Sequence, residues 1–192
     1  MIKLLILPGS ARRESFNRKL AGIAAKIAAE AGAEVDLVDP ADFRLPLYDA
    51  ELEEAEGLPE NAKALKQKFI AAHAILFASP EYNSSITPLM KNTIDWVSRT
   101  ETDDEPDLVA YRGKVAGLIS ASPGGFGGMR GLVHLRSILG NIGVLVTAKQ
   151  FCLASAYDKF DQHGALKNEK DLQGVRAVVT ELLKVAGAVT RA

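Results

Sequence analysis

Five short runs of mostly apolar residues punctuate the chain: Ile2–Leu7, Glu34–Val38, Ala74–Ala78, Val115–Ser120 and Val144–Ala148. The first is almost unbroken, as expected of a strand buried on both faces of a parallel sheet. Between and after them, apolar residues recur at helical spacing. Leu20, Ile23, Ala24, Ile27 and Ala28 mark a helix over 15–31, and further helices are predicted over 59–73, 88–99, 128–141 and 169–188. Strands alternating with helices predict a parallel α/β sheet joined by right-handed crossovers, with helices on both faces. Two doubly wound layouts compete. The order 2-1-3-4-5 uses five strands, whereas the other common order usually needs six, so the count favours the first. In either layout, ligands bind at the carboxyl ends of the strands, where the strand order reverses.

Two stretches interrupt the alternation. Residues 39–57 carry Pro40, Pro46 and several acidic residues and read as a long loop; 101–107, Glu-Thr-Asp-Asp-Glu-Pro-Asp, reads as a solvated acidic loop. At 192 residues the chain suits a single domain, spanning 1–192, with one substantial core. A formal net charge of −1 gives no reason to expect a nucleic acid or an anionic membrane as partner. The single cysteine, Cys152, cannot form an internal disulfide or a metal cluster by itself, and reads as a small apolar filler. The first strand begins at the N-terminus and no apolar run is long enough to span a bilayer, so a cytoplasmic protein without a signal peptide is expected.

The candidate chemistry gathers in three loops. The first, Pro8 to Asn17, joins strand to helix and holds Ser10, Arg12, Arg13, Ser15 and Asn17. A helix N-terminus offers unpaired N–H groups and partial positive charge, so hydroxyl and guanidinium donors there suit a phosphate. Gly9 stands alone, without the G-x-G-x-x-G of a dinucleotide fold, and no Gly-Lys-Ser/Thr follows. A terminal phosphomonoester such as that of FMN fits what remains; the plain alternative is that Ser15 caps the helix and the arginines are solvated.

The second loop, Ser79 to Pro88, should lie beside the first. Tyr82 can wall a flat ring such as isoalloxazine, and Glu81, Asn83 and nearby N–H groups can serve its pyrimidine edge. A turn whose Asn and Ser satisfy their own backbone, with Thr87 capping the next helix, is the alternative. The third loop, Ser120 to Arg130, has glycines at 124, 125, 127 and 128, which let the backbone approach a planar ligand. The three loops follow strands one, three and four, so they converge on one crevice.

These residues carry a resemblance. Gly-Ser-Ala-Arg-Arg-Glu-Ser-Phe-Asn at 9–17, Pro-Glu-Tyr-Asn at 80–83, Leu-Met-Lys-Asn-Thr-Ile-Asp-Trp-Val-Ser-Arg at 89–99 and Ser-Pro-Gly-Gly-Phe-Gly-Gly at 122–128 resemble the NADPH-dependent FMN reductase family. The family is flavodoxin-like and includes quinone, chromate and azo-dye reductases. The resemblance implies a flavodoxin-like three-layer sandwich and an FMN phosphate held by Ser10, Arg12, Ser15, Phe16 and Asn17. It places Pro80, Glu81, Tyr82 and Asn83 against the flavin ring, with Ser122, Gly124 and Gly125 near its edge. Thr87-Pro88 stands where the family often has a pair of small residues. It further implies NADPH or NADH as co-substrate, small acceptors such as quinones, free flavin, chromate or azo compounds, and a homodimer or homotetramer.

On this reading FMN supplies the redox chemistry, and no general acid, general base or metal is assigned. His73, His134 and His163 lie apart and read as structural. A flavodoxin-type electron carrier would commonly be strongly acidic, which this chain is not. A dinucleotide-binding dehydrogenase with Asp39 on a ribose lacks its glycines. Trp96 is rotated away from the apolar face of helix 88–99. It needs cover from a neighbouring loop or a second subunit, and as an interface anchor it points to a homodimer.

Overall fold

The computed structural model describes residues 1–190. Five strands, β1 (Lys3–Pro8), β2 (Glu34–Leu37), β3 (Ala74–Ala78), β4 (Val115–Ala121) and β5 (Leu145–Leu153), form one sheet in the order β2-β1-β3-β4-β5. Every neighbouring pair is parallel. The expected 2-1-3-4-5 order is therefore the observed one.

The sheet divides the core in two. On one face Leu4, Ile6, Leu76 and Ile119 pack against α1 (Phe16–Glu30) and α6 (Glu169–Val189). On the other, Leu5, Leu7, Ile75 and Leu118 pack against α3 (Glu60–Ala71), α4 (Pro88–Val97) and α5 (Met129–Asn141). Alternate residues of one strand thus feed opposite layers, which is why β1, β3 and β4 are almost continuously apolar. The edge strand β2 is largely exposed.

Several expectations need correction. Residues 39–57 are not all loop: Asp49 caps a short helix, α2 (Ala50–Glu56), accepting hydrogen bonds from the Glu51 and Leu52 N–H groups. Strand β5 runs beyond Ala148 to Leu153, because a register shift opposite Ala116–Leu118 lets it resume pairing along β4. The acidic loop 101–107 is not simply solvated. Lys66, 1% exposed, donates from Nζ to Glu105 (2.6 Å) and to the Arg99 carbonyl (2.6 Å), with Glu101 at 3.8 Å. Burial raises the Glu105 pKa, but its bonds from Lys66 and the Glu101 N–H outweigh that, and the net shift is downward.

Trp96 is fully buried within its own chain. Leu45, Tyr48, Leu52, Leu58 and Ala62 cover it, and its Nε1 donates to the Pro46 carbonyl at 2.9 Å. The neighbouring segment, not a second subunit, supplies the cover. Among the described residues, no helix is long and apolar enough to cross a membrane, and no cluster of His, Cys, Asp and Glu could hold a metal ion.

Candidate functional site

The loops after β1, β3 and β4 meet at the carboxyl ends of the strands, around a cavity of about 200 Å³. Ser10, Arg12, Ser15, Phe16, Asn17, Pro80, Glu81, Tyr82 and Ser122 all line it. Asn83, Gly124 and Gly125, the other sequence candidates, lie outside its lining. A larger concavity of about 320 Å³ lies along edge strand β2 and α3, away from all three loops.

The first loop is held by its neighbours. The Gly9 N–H donates to the Ala78 carbonyl (2.9 Å), and Thr87 Oγ1 donates to the Gly9 carbonyl (2.8 Å). A Cβ on Gly9 would lie 2.9 Å from Met90 Cε and 3.0 Å from Pro80 Cδ, so a larger residue here would have to displace the Met90 side chain and press on Pro80. Thr87 also caps α4, accepting from the Met90 N–H.

The start of α1 is open. Ser15 occupies the cap position but makes no capping bond through its side chain. The first helical bond runs from the Lys19 N–H to the Ser15 carbonyl, leaving the N–H groups of Phe16, Asn17 and Arg18 without acceptors among the described residues. No acidic residue lies in the first turn. The loop's one carboxylate, Glu14, is drawn off by Lys19 at 2.8 Å. With Arg12 in the lining, this arrangement fits a phosphate.

Asn17 plays a different part from the one its position suggests. Its Nδ2 donates to the Ala121 carbonyl (2.8 Å) and its Oδ1 accepts from the Ala121 N–H (2.9 Å). Both ends of the side chain are spent on joining α1 to the end of β4, so only its backbone N–H faces a ligand. Asp39 is similarly committed, to Arg18 and to the Ala41 N–H. The Ala41 bond and then the Arg18 guanidinium lower its pKa, and a ribose contact would have to compete with both.

In the second loop Tyr82 and Ser85 form an antiparallel bridge across Asn83 (φ 49°) and Ser84 (φ 67°), both left-handed. Two such residues build the tight hairpin turn usually made by Asn-Gly. Asn83 is therefore a turn residue, which is why it stands outside the cavity. The turn carries Tyr82 out to 56% exposure at the rim.

Glu81 is half-buried, and its side chain, 7% exposed, faces α5, where its carboxylate accepts from Arg130 Nε (2.8 Å) and from the Gly131 N–H (3.2 Å). Burial raises its pKa; the Arg130 and Gly131 bonds outweigh this and hold it below the ordinary carboxylate value. Arg130 in turn lies over the Phe126 ring, 5.2 Å from its centroid. The side chain of Glu81 thus fixes the glycine-rich loop to the β3 loop instead of reaching a ring edge.

That glycine-rich loop is firm at one end and unobstructed at the other. A Cβ on Gly128 (φ 89°) would lie 1.8 Å from Ser120 Oγ, and one on Gly127 (φ 60°) 2.8 Å from the backbone of 152–154. Gly125 has open space around it, and Gly124 meets only Ser122 Oγ at 3.6 Å. Their backbone can therefore be approached closely by a flat ligand. Cys152 sits beneath this region, and burial, aided by the Glu81 carboxylate, pushes its thiol pKa up. It is a poor nucleophile at neutral pH.

The sequence reading missed Tyr157. It follows β5 on a short 3₁₀ turn (Ala156–Asp158) and lines the same cavity, with Ala121 and Pro123. No motif marks it, but it follows the fifth strand at the same carboxyl edge, where a ligand contact is expected.

The profile of the NADPH-dependent FMN reductase family matches residues 2–158. The chain belongs to that family. It is 37% identical to an NAD(P)H:quinone oxidoreductase of Solanum tuberosum, over 97% of this chain and 93% of that protein. It is 35% identical to an NAD(P)H-dependent FMN reductase of Pseudomonas aeruginosa, over 88% and 86%. Among solved structures it is similar to FerB, a flavoenzyme NAD(P)H:(acceptor) oxidoreductase from Paracoccus denitrificans, with a TM-score of 0.83, 26% identity and 98% of both chains covered. As a member of the family, the chain is an FMN-dependent oxidoreductase that uses NAD(P)H, and its flavodoxin-like fold agrees with that placement.

Proposed function

We propose that this reductase binds FMN with its phosphate on the open start of α1 and its ring along the loops after β3 and β4, passing electrons to quinones and related small acceptors. The observation that carries the proposal is the convergence, in one cavity, of uncapped α1 N–H groups, the Ser10 and Ser15 hydroxyls and Arg12 with the wall formed by Pro80 and Tyr82. Bound FMN supplies the redox chemistry, taking a hydride equivalent from NAD(P)H and returning two electrons to an acceptor. The chain's own residues bind, orient and shield. Arg12 and the α1 N–H groups neutralise the phosphate, Tyr82 walls the ring, and Gly125 leaves its backbone N–H accessible at the ring's edge, while the Gly124 N–H donates to Ser122 Oγ (3.2 Å). Among the described residues Glu81 is engaged with Arg130, and His134 Nδ1 lies 3.0 Å from Ser85 Oγ, within the turn that carries Tyr82, so neither is assigned a proton-relay role.

The openness of the site suits exchange of small donors and acceptors. Sites that enclose ligands of this size usually measure roughly 300–1,000 Å³, and here the enclosed part is about 200 Å³. It suits the phosphate and ribityl end, leaving the ring on the open side, where donor and acceptor can alternate. A second copy of the chain is the natural cover for that side. Tyr82, Phe126, Met129 and Val133 are all large apolar residues exposed around this mouth. Met129 and Val133 lie one turn apart on α5, which Glu81 and Ser85 hold against the Tyr82 turn. We therefore place the homodimer contact here and not at Trp96.

The test is anaerobic mixing of the FMN-loaded protein with NADPH or NADH. Bleaching of the flavin's blue absorption, followed by its return on adding a quinone, is expected. A flavin that binds but is bleached by neither nucleotide points instead to an electron carrier; a chain that takes up no FMN overturns the assignment. Light scattering at low micromolar concentration should give twice the chain mass or more, and Val133→Glu should return it to that of one chain.

A further inference from the structure

We infer that Tyr157 sets this site's preference for a flavin ending in a phosphate monoester over one whose phosphate carries an adenylate. The inference rests on the flavin-binding proposal above.

Tyr157 is held from below. The Ser155 N–H donates to the Gly124 carbonyl (3.3 Å), the Ala156 N–H to the Ser122 carbonyl (3.1 Å), and the Ser122 N–H to the Leu153 carbonyl (3.0 Å). The turn that carries Tyr157 is thus tied to the glycine-rich loop. Ser155 adopts a left-handed φ of 53°, which turns the chain back toward the cavity immediately after β5. The Tyr157 ring stands edge-on against Phe16, with centroids 5.2 Å apart and planes at 88°; Phe16 is stacked on Phe160 at 5.8 Å. Phe160 belongs to the core, so three aromatic rings run from the core to the rim of the site.

At the top of that column Tyr157 is 75% exposed. Burial accounts for Phe160 and Phe16, but not for a large aromatic ring left so open. What Tyr157 does instead is line the cavity beside Phe16, in a wall that also includes Arg12 and Ser15. The proposed phosphate lies there, on the first turn of the helix that Phe16 begins. A monoester ends at that phosphate. A flavin adenine dinucleotide continues through a second phosphate and a nucleoside, which must leave through the gap that Tyr157 narrows.

Two neighbours therefore read different properties. Arg12 reads charge, because the monoester carries more negative charge than the corresponding group of a diphosphate ester. Tyr157 reads bulk, and rejects the longer ligand by collision instead of by a lost bond. An aromatic ring can do this without its hydroxyl.

The experiment measures flavin-fluorescence quenching by the apoprotein with FMN, riboflavin and flavin adenine dinucleotide. The wild-type chain should prefer FMN over the dinucleotide. Tyr157→Ala should raise the dinucleotide's affinity relative to FMN by about tenfold or more, the scale of steric discrimination in a pocket, with riboflavin affinity unchanged. Tyr157→Phe should keep the wild-type ratio. Arg12→Ala should instead lose FMN relative to riboflavin. An unchanged ratio in Tyr157→Ala, an equal shift in Tyr157→Phe, or a wild-type chain indifferent to the adenylate overturns the role of Tyr157. A wild-type chain that binds none of the three overturns the flavin proposal itself.

Discussion

The loops after β1 and β3 face each other across the cavity, and both are rich in polar residues, yet they use them in opposite ways. After β1 the donors are left open: the Phe16, Asn17 and Arg18 N–H groups and the Ser15 hydroxyl lack partners among the described residues. After β3 the polar side chains are spent on the protein. Ser79 Oγ donates to the Pro80 carbonyl (3.2 Å), Glu81 pairs with Arg130, and Ser85 Oγ lies 3.0 Å from His134 Nδ1. One loop is a receptor for charge. The other is a rigid rim whose polar groups hold an aromatic wall in place. A polar residue near a site thus has two possible employments, and only its hydrogen-bond partners tell them apart.

Asn17 is the exception within the first loop, and it should give the largest effect. Asn17→Ala leaves the buried Ala121 N–H and carbonyl unpaired, and an orphaned buried group costs about 1–3 kcal/mol. Urea unfolding should show a loss of about 3 kcal/mol; a loss below about 1 kcal/mol would place Asn17 among the ligand donors instead. Arg12→Ala should leave stability nearly unchanged, yet weaken FMN binding roughly 10–150-fold, as loss of a charge-assisted bond implies. Equal losses for FMN and riboflavin would move the phosphate elsewhere.

The rim responds differently. Glu81→Gln should reduce stability by about 1.5 kcal/mol at neutral pH. The Glu81 pKa is lowered on folding. Its stabilisation is therefore fully present above the ordinary carboxylate range and fades as pH falls through the depressed value. Wild type and variant should converge in acid, and a gap that persists there would rule out the charged pair as its source. The smallest effect is expected at Ser84, whose φ of 67° suits glycine. Ser84→Gly should raise stability by about 0.5 kcal/mol with FMN binding unaltered; destabilisation would mean that the Ser84 side chain supports the turn.

Much of this was legible beforehand because the signals were local. Almost continuous apolar runs marked β1, β3 and β4, and the spacing of Leu20, Ala24, Ile27 and Ala28 marked α1. The cavity was legible because its loops follow strands whose order leaves few arrangements open. What escaped was decided by partners far along the chain. Lys66 reaches Glu105 across 39 positions, turning an acidic loop into a buried ion pair. Trp96 finds its cover in Tyr48 and Pro46, within a segment whose prolines hid helix α2. Tyr157 lies after a strand whose end was misplaced, so its approach to the cavity could not be seen. Asn83 and Glu81 were recognised as important residues, but the Asn83 backbone forms the turn and the Glu81 side chain is bonded to α5.

The pair of bonds between Asn17 and Ala121 also sets the order of events when the chain is made. They span 104 positions and join the first helix to the end of the fourth strand. A ribosome must therefore deliver well over half of the protein before α1 acquires its tie to β4. Until then the loop after β1 can already be tied to β3 and α4 through Gly9, Ala78 and Thr87, but α1 has no bond to the end of β4. Such distant pairing is slow to find, because a long loop must close before any contact rewards it. Once it is found, a ligand that binds only the closed crevice stabilises the completed chain by mass action.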